Sequence, residues 1–281
     1  MIFFSEKCLK YQAAGHPESP ERVKIIYDYL KEKGFSFQQA QVCREEDLLL
    51  VHTRSHLEKV KENRFFDADT PNIDRIYEYA ILSVGGALEA MKKALEGKPS
   101  FSLLRPPGHH AGKDYLGGFC YFNNMAIAVI KALEKIERVA ILDFDGHHGN
   151  GTEDIFLGDS RVVYLSLHQY PAYPGTGQAS QKNCLNYPLS SGTGEKRYLQ
   201  VFSEGLEKVK KFDPALIGVS AGFDGYKGDS LLGLELEVKT YYEIGRAIKD
   251  LHRPCFAILE GGYSSDLPLC VYQFLQGIGI K

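Results

Sequence analysis

Short apolar runs alternate with longer stretches of helical period along the chain, and this alternation limits the fold more than any other feature. Unbroken apolar runs are typical of strands that are buried on both faces. Strands that alternate with helices indicate a parallel sheet. We therefore predict an α/β fold with an open, mostly parallel sheet and helices on both faces. The predicted strands are Ile2–Phe4, Phe101–Leu104, Val139–Asp143, Val162–Leu167, Leu216–Ser220 and Cys255–Leu259.

Helical periods and capping residues define the segments between the strands. Gly97 ends the second helix and Asn123 caps the third. The pair Gly85-Gly86 inside the second helix indicates close packing against a neighbour. No repeat or linker interrupts the pattern, so one domain over residues 1–281 is predicted. The predicted helices are Pro20–Lys33, Asn72–Glu96, Asn123–Lys135, Glu195–Phe212, Val238–Leu251 and Asp266–Gly277.

Charge and cysteine usage limit the partners and the location that we expect. With 33 Lys and Arg against 36 Asp and Glu, the net charge is −3. No field of one sign results, so we expect neither nucleic acid nor an anionic membrane as a partner. The chain starts without a signal-like segment and contains no apolar stretch that crosses a bilayer, so a cytoplasmic location is expected. The six cysteines form no C-x-x-C pair and are expected to be reduced core thiols.

Polar, glycine-rich segments follow five of the predicted strands. In open parallel sheets, ligands bind at the carboxyl edge because the loops there converge on one crevice. We therefore expect five loops, rich in His, Asp and Tyr, to build a single site. In chain order the segments are RPPGHHAGKDYLGG, DFDGHHGNG, HQYPAYPGTG, GFDGYKGD and EGGYSSD.

The second of these segments carries side chains that are typical of a metal site. Residues two apart point the same way where a strand ends, so Asp143, Asp145 and His147 can face one side together. Two carboxylates and an imidazole suit a divalent metal, and a catalytic zinc typically has three protein ligands and one open position. Asp224, at another strand end, is the best candidate for a further ligand. Helix-capping acids and core histidines are the structural alternative, but two neighbouring loops with Asp among glycines make it the weaker one.

The tandem histidines His109 and His110 follow an Arg-Pro-Pro-Gly segment whose prolines hold the loop rigid. One histidine can act as a general base on a metal-bound water while the other stabilises charge. Each then needs an acceptor on its far ring nitrogen, and Asp143 and Asn150 are the available partners. Direct metal ligation by the pair stays open as a lower-ranked alternative.

Several linked motifs run through the chain in the order RPPGHHA, GGFCYFNN, ILDFDGHHGNGTEDIF, YLSLHQYP, YPGTG, SAGFDGYKGD and LEGGY. In this order and at these spacings they resemble the histone deacetylase superfamily, which includes bacterial deacetylase-like amidohydrolases and acetylpolyamine amidohydrolases. The resemblance extends from about residue 16 to the C-terminus. Asn150, where the nuclear members have Asp, matches the class II and bacterial pattern.

The resemblance implies an arginase-like α/β fold and the hydrolysis of acyl-amide bonds with one zinc ion per chain. The zinc ligands would be Asp145, His147 and Asp224. His110, backed by Asn150, would be the general base and acid of the reaction.

The resemblance also implies roles for further residues. His109, backed by Asp143, would stabilise charge, and Tyr263 would donate its hydroxyl to the substrate carbonyl. For Asp69, which aligns loosely with a rim acid that holds the substrate backbone, a helix-capping role is an equal alternative. The substrate channel would be lined by Phe119, Tyr173, Gly118 and Asp69. A structural potassium ion would be bound by main-chain oxygens of Asp143, Asp145, His147 and Leu167 and by the Ser166 hydroxyl.

The expected substrate is an acylated lysine in a peptide or protein, and an acylated linear polyamine is the nearest alternative because both fit one tunnel. A catalytically silent acyl-amine binding module is an alternative of another class, although a pure binder needs no general base. A two-metal ureohydrolase of the arginase type is a third, but it requires more carboxylates around its metal pair. The acyl chain length, the metal used in the cell and the oligomeric state are not predicted.

Overall fold

A computed structural model describes all residues 1–281, and its eight strands form one sheet in which every pair is parallel. The strands are β1 Ile2–Phe4, β2 Phe37–Gln39, β3 Ser100–Ser102, β4 Val139–Asp143, β5 Val162–Gln169, β6 Cys184–Leu189, β7 Leu216–Ala221 and β8 Cys255–Leu259. They lie across the sheet in the order β2-β1-β3-β8-β7-β4-β5-β6. The sheet is open because β2 and β6 form two free edges.

Nine α-helices lie between and after the strands, together with a short 3-10 helix over Glu6–Leu9. None of them combines the length and the apolar character that a bilayer span requires. The helices are α1 Pro20–Glu32, α2 Glu45–Leu48, α3 Arg54–Lys61, α4 Ile76–Leu95, α5 Asn124–Ala132, α6 Asn150–Phe156, α7 Glu195–Phe212, α8 Val238–Lys249 and α9 Leu267–Ile278.

The central strands β4, β7 and β8 are buried at every residue. Successive side chains of a strand point to opposite faces, so complete burial means that both faces of the sheet are covered. Helix α4 packs against β1, β3, β7 and β8, and α7 packs against β5 and β6. The predicted fold class, an open parallel α/β sheet, is therefore confirmed.

All six predicted strands and all six predicted helices are present, but some boundaries were wrong. The helix predicted over 72–96 begins only at Ile76, because Arg75 before it has a left-handed backbone with φ of 59°. The helix predicted over 123–135 ends at Ala132 and continues as a turn. The helix predicted over Glu195–Phe212 has the same bounds in the structure, and the remaining helix ends differ from the prediction by at most two residues. The prediction missed the edge strands β2 and β6 and the helices α2, α3 and α6.

Gly85 and Gly86 mark close packing of α4, as predicted. A Cβ atom on Gly85 would lie 1.8 Å from the main-chain oxygen of Gln41, and one on Gly86 would lie 2.2 Å from Leu104 Cδ1. The chain between β2 and α2 thus passes directly over the surface of α4.

We expect Gly85→Ala to lower the free energy of unfolding by about 1–3 kcal/mol, because the new methyl group overlaps main-chain atoms that cannot move aside cheaply. Alanine is favoured over glycine in a helix by about 1 kcal/mol. Any net destabilisation of Gly85→Ala must therefore come from the steric clash. Chemical denaturation measures the change. Lys92→Ala on the exposed side of the same helix is the control and should stay within about 0.5 kcal/mol. Equal stability of the two variants would contradict the close packing.

Candidate active site

Loops from five neighbouring strands, β3, β8, β7, β4 and β5, meet at the carboxyl edge of the sheet around a cavity of about 220 Å³. This is the convergence expected from the motif positions. The cavity is lined by Asp69, Pro107, His109, His110, Gly118, Phe119, Asp145, His147, Tyr173, Leu231, Gly261 and Tyr263.

Three side chains that the sequence predicts as metal ligands come together here. Ligand atoms of Asp145, His147 and Asp224 all lie within 4.8 Å of one another. Strands β4 and β7 are adjacent in the sheet, so the loops that carry these residues leave it side by side. The Gly146 N–H donates to Asp224 Oδ1 at 2.7 Å, and the Gly261 N–H donates to Asp145 Oδ2 at 2.8 Å. Main-chain contacts thus fix the orientation of both carboxylates.

The charges of this cluster fit a divalent cation. His147 Nδ1 lies 2.7 Å from Asp224 Oδ2 and 3.3 Å from Asp145 Oδ1. Burial opposes protonation of His147, but the two carboxylates raise its pKa to about 10. Burial and the charge of Asp145 raise the pKa of Asp224 to about 7. Two buried carboxylates that repel each other and share one imidazole are a donor set that suits zinc, which relieves the repulsion. These three residues can therefore hold a metal ion.

The tandem histidines have the partners that the sequence predicts. His109 Nδ1 lies 3.1 Å from Asp143 Oδ2, and His110 Nδ1 lies 2.8 Å from Asn150 Oδ1. An amide oxygen only accepts hydrogen bonds, so His110 carries its proton on Nδ1 and keeps the Nε2 lone pair free. Neither histidine belongs to the group that could hold a metal ion, which leaves the alternative of ligation by the pair without support.

The two rings differ in their electrostatic surroundings. Burial lowers the pKa of His110 well below its usual value, and the neighbouring His109 lowers it further. Burial also opposes protonation of His109, but Asp145 and Asp143 raise its pKa to about 10. The site thus pairs a neutral imidazole with a charged one, and such separation of pKa values is typical of sites that assign different acid and base roles.

Asp143 is held by several donors beside β5. Its Oδ2 also accepts the Tyr164 hydroxyl at 2.9 Å, and its Oδ1 accepts the Asp145 N–H at 3.2 Å. Asp143 is the register partner of Ser166 on β5, so these two predicted potassium ligands lie side by side, and Leu167 follows Ser166 on the same strand. The Ser166 hydroxyl lies 2.8 Å from His168 Nδ1.

Tyr263 enters the cavity from the loop after β8. Burial raises the pKa of its phenol well above the usual value, so the hydroxyl keeps its proton at neutral pH. The Arg22 guanidinium stacks 4.5 Å from the centre of its ring, and Asp229 Oδ2 accepts its main-chain N–H at 2.6 Å. Two residues before it, a Cβ atom on Gly261 would lie 2.6 Å from Asp145 Oδ2, so only glycine allows this approach.

Aromatic rings form much of the cavity wall. The Phe119 ring lies 6.0 Å from the Tyr263 ring, and the Tyr173 ring lies 5.1 Å from the His110 ring, both edge to face. Tyr173 is 44% exposed and therefore marks the mouth of the cavity. A linear apolar chain that enters between such rings buries its surface without any polar mismatch.

The helix-capping interpretation of Asp69 is wrong. Helix α4 begins seven residues later, with Arg75 as its N-cap. Asp69 Oδ1 instead accepts the Gly118 N–H at 3.0 Å and the Thr70 hydroxyl at 3.1 Å. Asp69 thus lies on the cavity wall and ties the loop of Gly118 to the segment before α4.

Several residues of the site were not predicted. Leu231 and Asp229 follow Asp224 within one loop, and Glu260 begins the EGGY segment, so each lies inside or beside a motif. Pro107, Gly261 and Tyr164 were likewise not predicted as site residues. Their position close to a motif was the only sequence feature that pointed to these residues, and it does not indicate what each one does.

Comparison with known proteins places the chain in a family. A family model described as histone deacetylase domain matches residues 16–277. A probable deacetylase of Archaeoglobus fulgidus is 40% identical over 94% of this chain and 81% of its own length. A histone deacetylase-like amidohydrolase of Pseudomonas aeruginosa is 35% identical, with coverage of 95% and 78%. The crystal structure of an acetylpolyamine aminohydrolase from Burkholderia pseudomallei has a TM-score of 0.93 over 99% of this chain and 98% of that chain, and at 24% identity it shows the shared fold. The chain therefore belongs to the histone deacetylase family of amide hydrolases.

Proposed function

We propose that this protein is a zinc-dependent deacylase that removes acetyl or another acyl group from lysine side chains of peptides or proteins. One observation carries the proposal: the cluster of Asp145, His147 and Asp224 lies at a cavity that His110 and Tyr263 also line. Zinc bound to these three residues would polarise the amide carbonyl and lower the pKa of a water molecule toward about 7.

His110 supplies the proton transfers. Its free Nε2 takes the proton of the attacking water, and the same nitrogen then delivers a proton to the leaving amine. Asn150 keeps the proton on Nδ1 and so holds the ring in the tautomer that both steps need. His109, held by Asp143, keeps a positive charge near the reacting atoms.

Tyr263 and the cavity walls position the substrate. The Tyr263 hydroxyl donates to the carbonyl oxygen as negative charge develops there, a contact that is strongest in the transition state. Phe119 and Tyr173 exclude water and hold the linear chain of the acylated amine. Amides on a long, unbranched stem are therefore the favoured substrates.

Turnover of a panel of acyl-lysine peptides and acetylated polyamines, with and without a chelator, tests the proposal. We expect chelator-sensitive hydrolysis of the peptides. A clear preference for the polyamines would show that the substrate is an acylated linear polyamine and not an acylated lysine. Binding of the peptides by metal-replete protein without turnover would contradict catalysis and favour a binding module. Inactivity toward both classes counts against both substrates.

We expect Tyr263→Phe to lower kcat about 100- to 1,000-fold, the usual effect of removing one oxyanion donor. Metal content and the midpoint of thermal unfolding should stay unchanged, because the aromatic ring and its packing remain. Steady-state kinetics on an acyl-lysine peptide measure the effect. Tyr242→Phe on the exposed side of α8 is the matched control and should retain full activity. Full activity of Tyr263→Phe would remove this hydroxyl from the mechanism.

Two further features belong to the proposal. A structural potassium ion would be held by main-chain oxygens of Asp143, Asp145, His147 and Leu167 and by the Ser166 hydroxyl, and the pairing of Asp143 with Ser166 across β4 and β5 supports this arrangement. A cytoplasmic location stays a prediction from the sequence.

A further inference from the structure

The side chain of Glu260 is completely buried beside the cavity, and no step described above uses it. Its Oε2 accepts the main-chain N–H of Gly108 at 2.8 Å and that of His109 at 3.3 Å. Its Oε1 accepts the Ser220 hydroxyl at 3.0 Å. No lysine or arginine forms an ion pair with this carboxylate. The buried carboxylate thus accepts its hydrogen bonds from two main-chain N–H groups and one hydroxyl.

These contacts join three neighbouring strand ends. Glu260 directly follows β8, in the segment that leads to Tyr263. Gly108 and His109 lie in the loop after β3. Ser220 lies at the end of β7, just before Asp224. Strands β3, β8 and β7 are adjacent in the sheet, with β8 in the middle. One side chain on the central strand therefore links the segments that carry the tandem histidines, a metal ligand and the tyrosine.

The main chain of the same segment is fixed from the other side. Arg22 donates to the carbonyl oxygens of Glu260 and Gly262, each at 2.6 Å. The main chain of Glu260 is therefore anchored independently of the histidine loop. The carboxylate therefore holds the histidine loop in a fixed position relative to β8.

Burying a carboxylate in this position costs free energy. This cost indicates that its hydrogen bonds do more than fill space in the core. Burial raises the pKa of Glu260 to about 7, and this shift reflects the cost of its charge. An apolar side chain of similar volume would fill the space at lower cost, but it would leave two buried N–H groups of the loop without an acceptor. A long side chain with an acceptor at its end meets the requirement.

We propose that Glu260 is a positioning residue for deacylation, whose side-chain oxygen fixes the main chain at Gly108 and His109 so that both imidazoles face the reacting atoms. The inference rests on the function proposed above. A misplacement of about 1 Å in an active site can lower turnover about 100-fold. The reach of the side chain, rather than its charge, is what the geometry requires.

Two substitutions separate reach from charge. Glu260→Gln keeps the length and one acceptor oxygen for both N–H groups, and its amide group can donate to the Ser220 hydroxyl. Glu260→Asp keeps the charge but is one methylene too short to bridge to Gly108 and Ser220 together. Glu243→Gln and Glu243→Asp, on a partly exposed glutamate of α8 that pairs with Arg246, are the matched controls.

Kinetics on an acyl-lysine peptide, expressed as kcat per metal-loaded site, provide the first readout. We expect Glu260→Asp to lower kcat about 30- to 100-fold, with KM within about threefold of the wild type. Glu260→Gln should stay within about fivefold of the wild type, and both controls should match it. A larger loss in Glu260→Gln than in Glu260→Asp would overturn the proposal in favour of charge. A loss that disappears when activity is divided by metal-loaded sites would reduce Glu260 to a role in folding.

A spectroscopic readout that needs no turnover keeps this inference separate from the proposed function. Nitrogen-15 spectra of the histidine side chains report the tautomer and surroundings of His109 and His110. We expect Glu260→Asp to shift these signals and Glu260→Gln to leave them near their wild-type positions. Unchanged signals in Glu260→Asp would refute the positioning role. A wild type that is inactive on every substrate would refute the deacylase function, whereas the spectra would still decide the role of Glu260.

Discussion

Replacement of Asp224 by alanine should remove most of the bound metal and lower turnover by about a thousandfold. The loss reflects a missing ligand in a set of three, because two residual side chains hold a divalent cation poorly, and a catalytic metal supplies several kcal/mol of transition-state stabilisation. The fold should persist, since the substitution also removes one of two carboxylates that repel each other in a buried site. Metal content by atomic emission and kcat on an acyl-lysine peptide measure the two effects together.

Asp250→Ala is the matched control for this experiment. Asp250 lies exposed at the end of α8 and is not among the residues that line the cavity. Its replacement should change neither metal content nor kcat. An Asp224→Ala protein that kept both its metal and its activity would show that Asp224 is not a ligand.

His110→Asn should lower kcat about 100- to 10,000-fold, the range expected for the loss of a general base and acid. Asparagine cannot take up a proton at neutral pH, whereas the imidazole of His110 has a free Nε2 for this purpose. Metal content should stay unchanged, because His110 lies outside the metal cluster. Steady-state kinetics with parallel metal analysis test both statements.

The same histidine-to-asparagine substitution at an exposed position is the control for effects that are not specific to the active site. His252 lies in the turn after α8, with a left-handed backbone that asparagine adopts readily. His252→Asn should therefore be fully active. A His110→Asn protein with near-normal kcat would contradict the assignment of His110 as the base. If His110→Asn instead lost its metal, the histidine pair would contribute to ligation after all.

The central part of the sheet was predictable because burial on both faces leaves a clear pattern in the sequence. Strands β4, β7 and β8 are short runs of mostly apolar residues, each followed by glycine-rich polar segments. The edge strands leave no such pattern. Strand β2 reads FQQ and is largely exposed, and β6 includes the exposed Pro188 and otherwise alternates between buried and partly buried residues. Such strands form because a neighbour offers main-chain partners, which the local sequence does not encode.

The geometry of the site was predictable where its residues share a strand end or flank one. Asp145 and His147 lie two apart after β4, and parallel strands bring Asp224 to the same edge. The need of each ring for an acceptor indicated Asp143 and Asn150 as partners, and the resemblance to the deacetylase superfamily assigned Asp143 to His109 and Asn150 to His110. Glu260 and Asp229 were missed because their contacts with Gly108 and Tyr263 join segments that lie far apart in sequence.

Asp69 illustrates how a local pattern can mislead. The sequence Asp-Thr-Pro-Asn before an apolar helical period is typical of a helix start, and a cap was an equal alternative there. In the structure the carboxylate is occupied by the Gly118 N–H, some fifty residues along the chain, and the helix starts later. A tertiary hydrogen bond has displaced the local one.

The central claim is that Asp145, His147 and Asp224 hold one divalent cation in the cavity, and anomalous diffraction tests it most directly. Crystals of the purified protein, measured above and below the zinc absorption edge, should show a single peak per chain. That peak should lie about 2.0–2.2 Å from the ligand atoms of the three residues. The absence of a peak among them, or a second metal about 3.5–4 Å away as in two-metal hydrolases, would contradict the account.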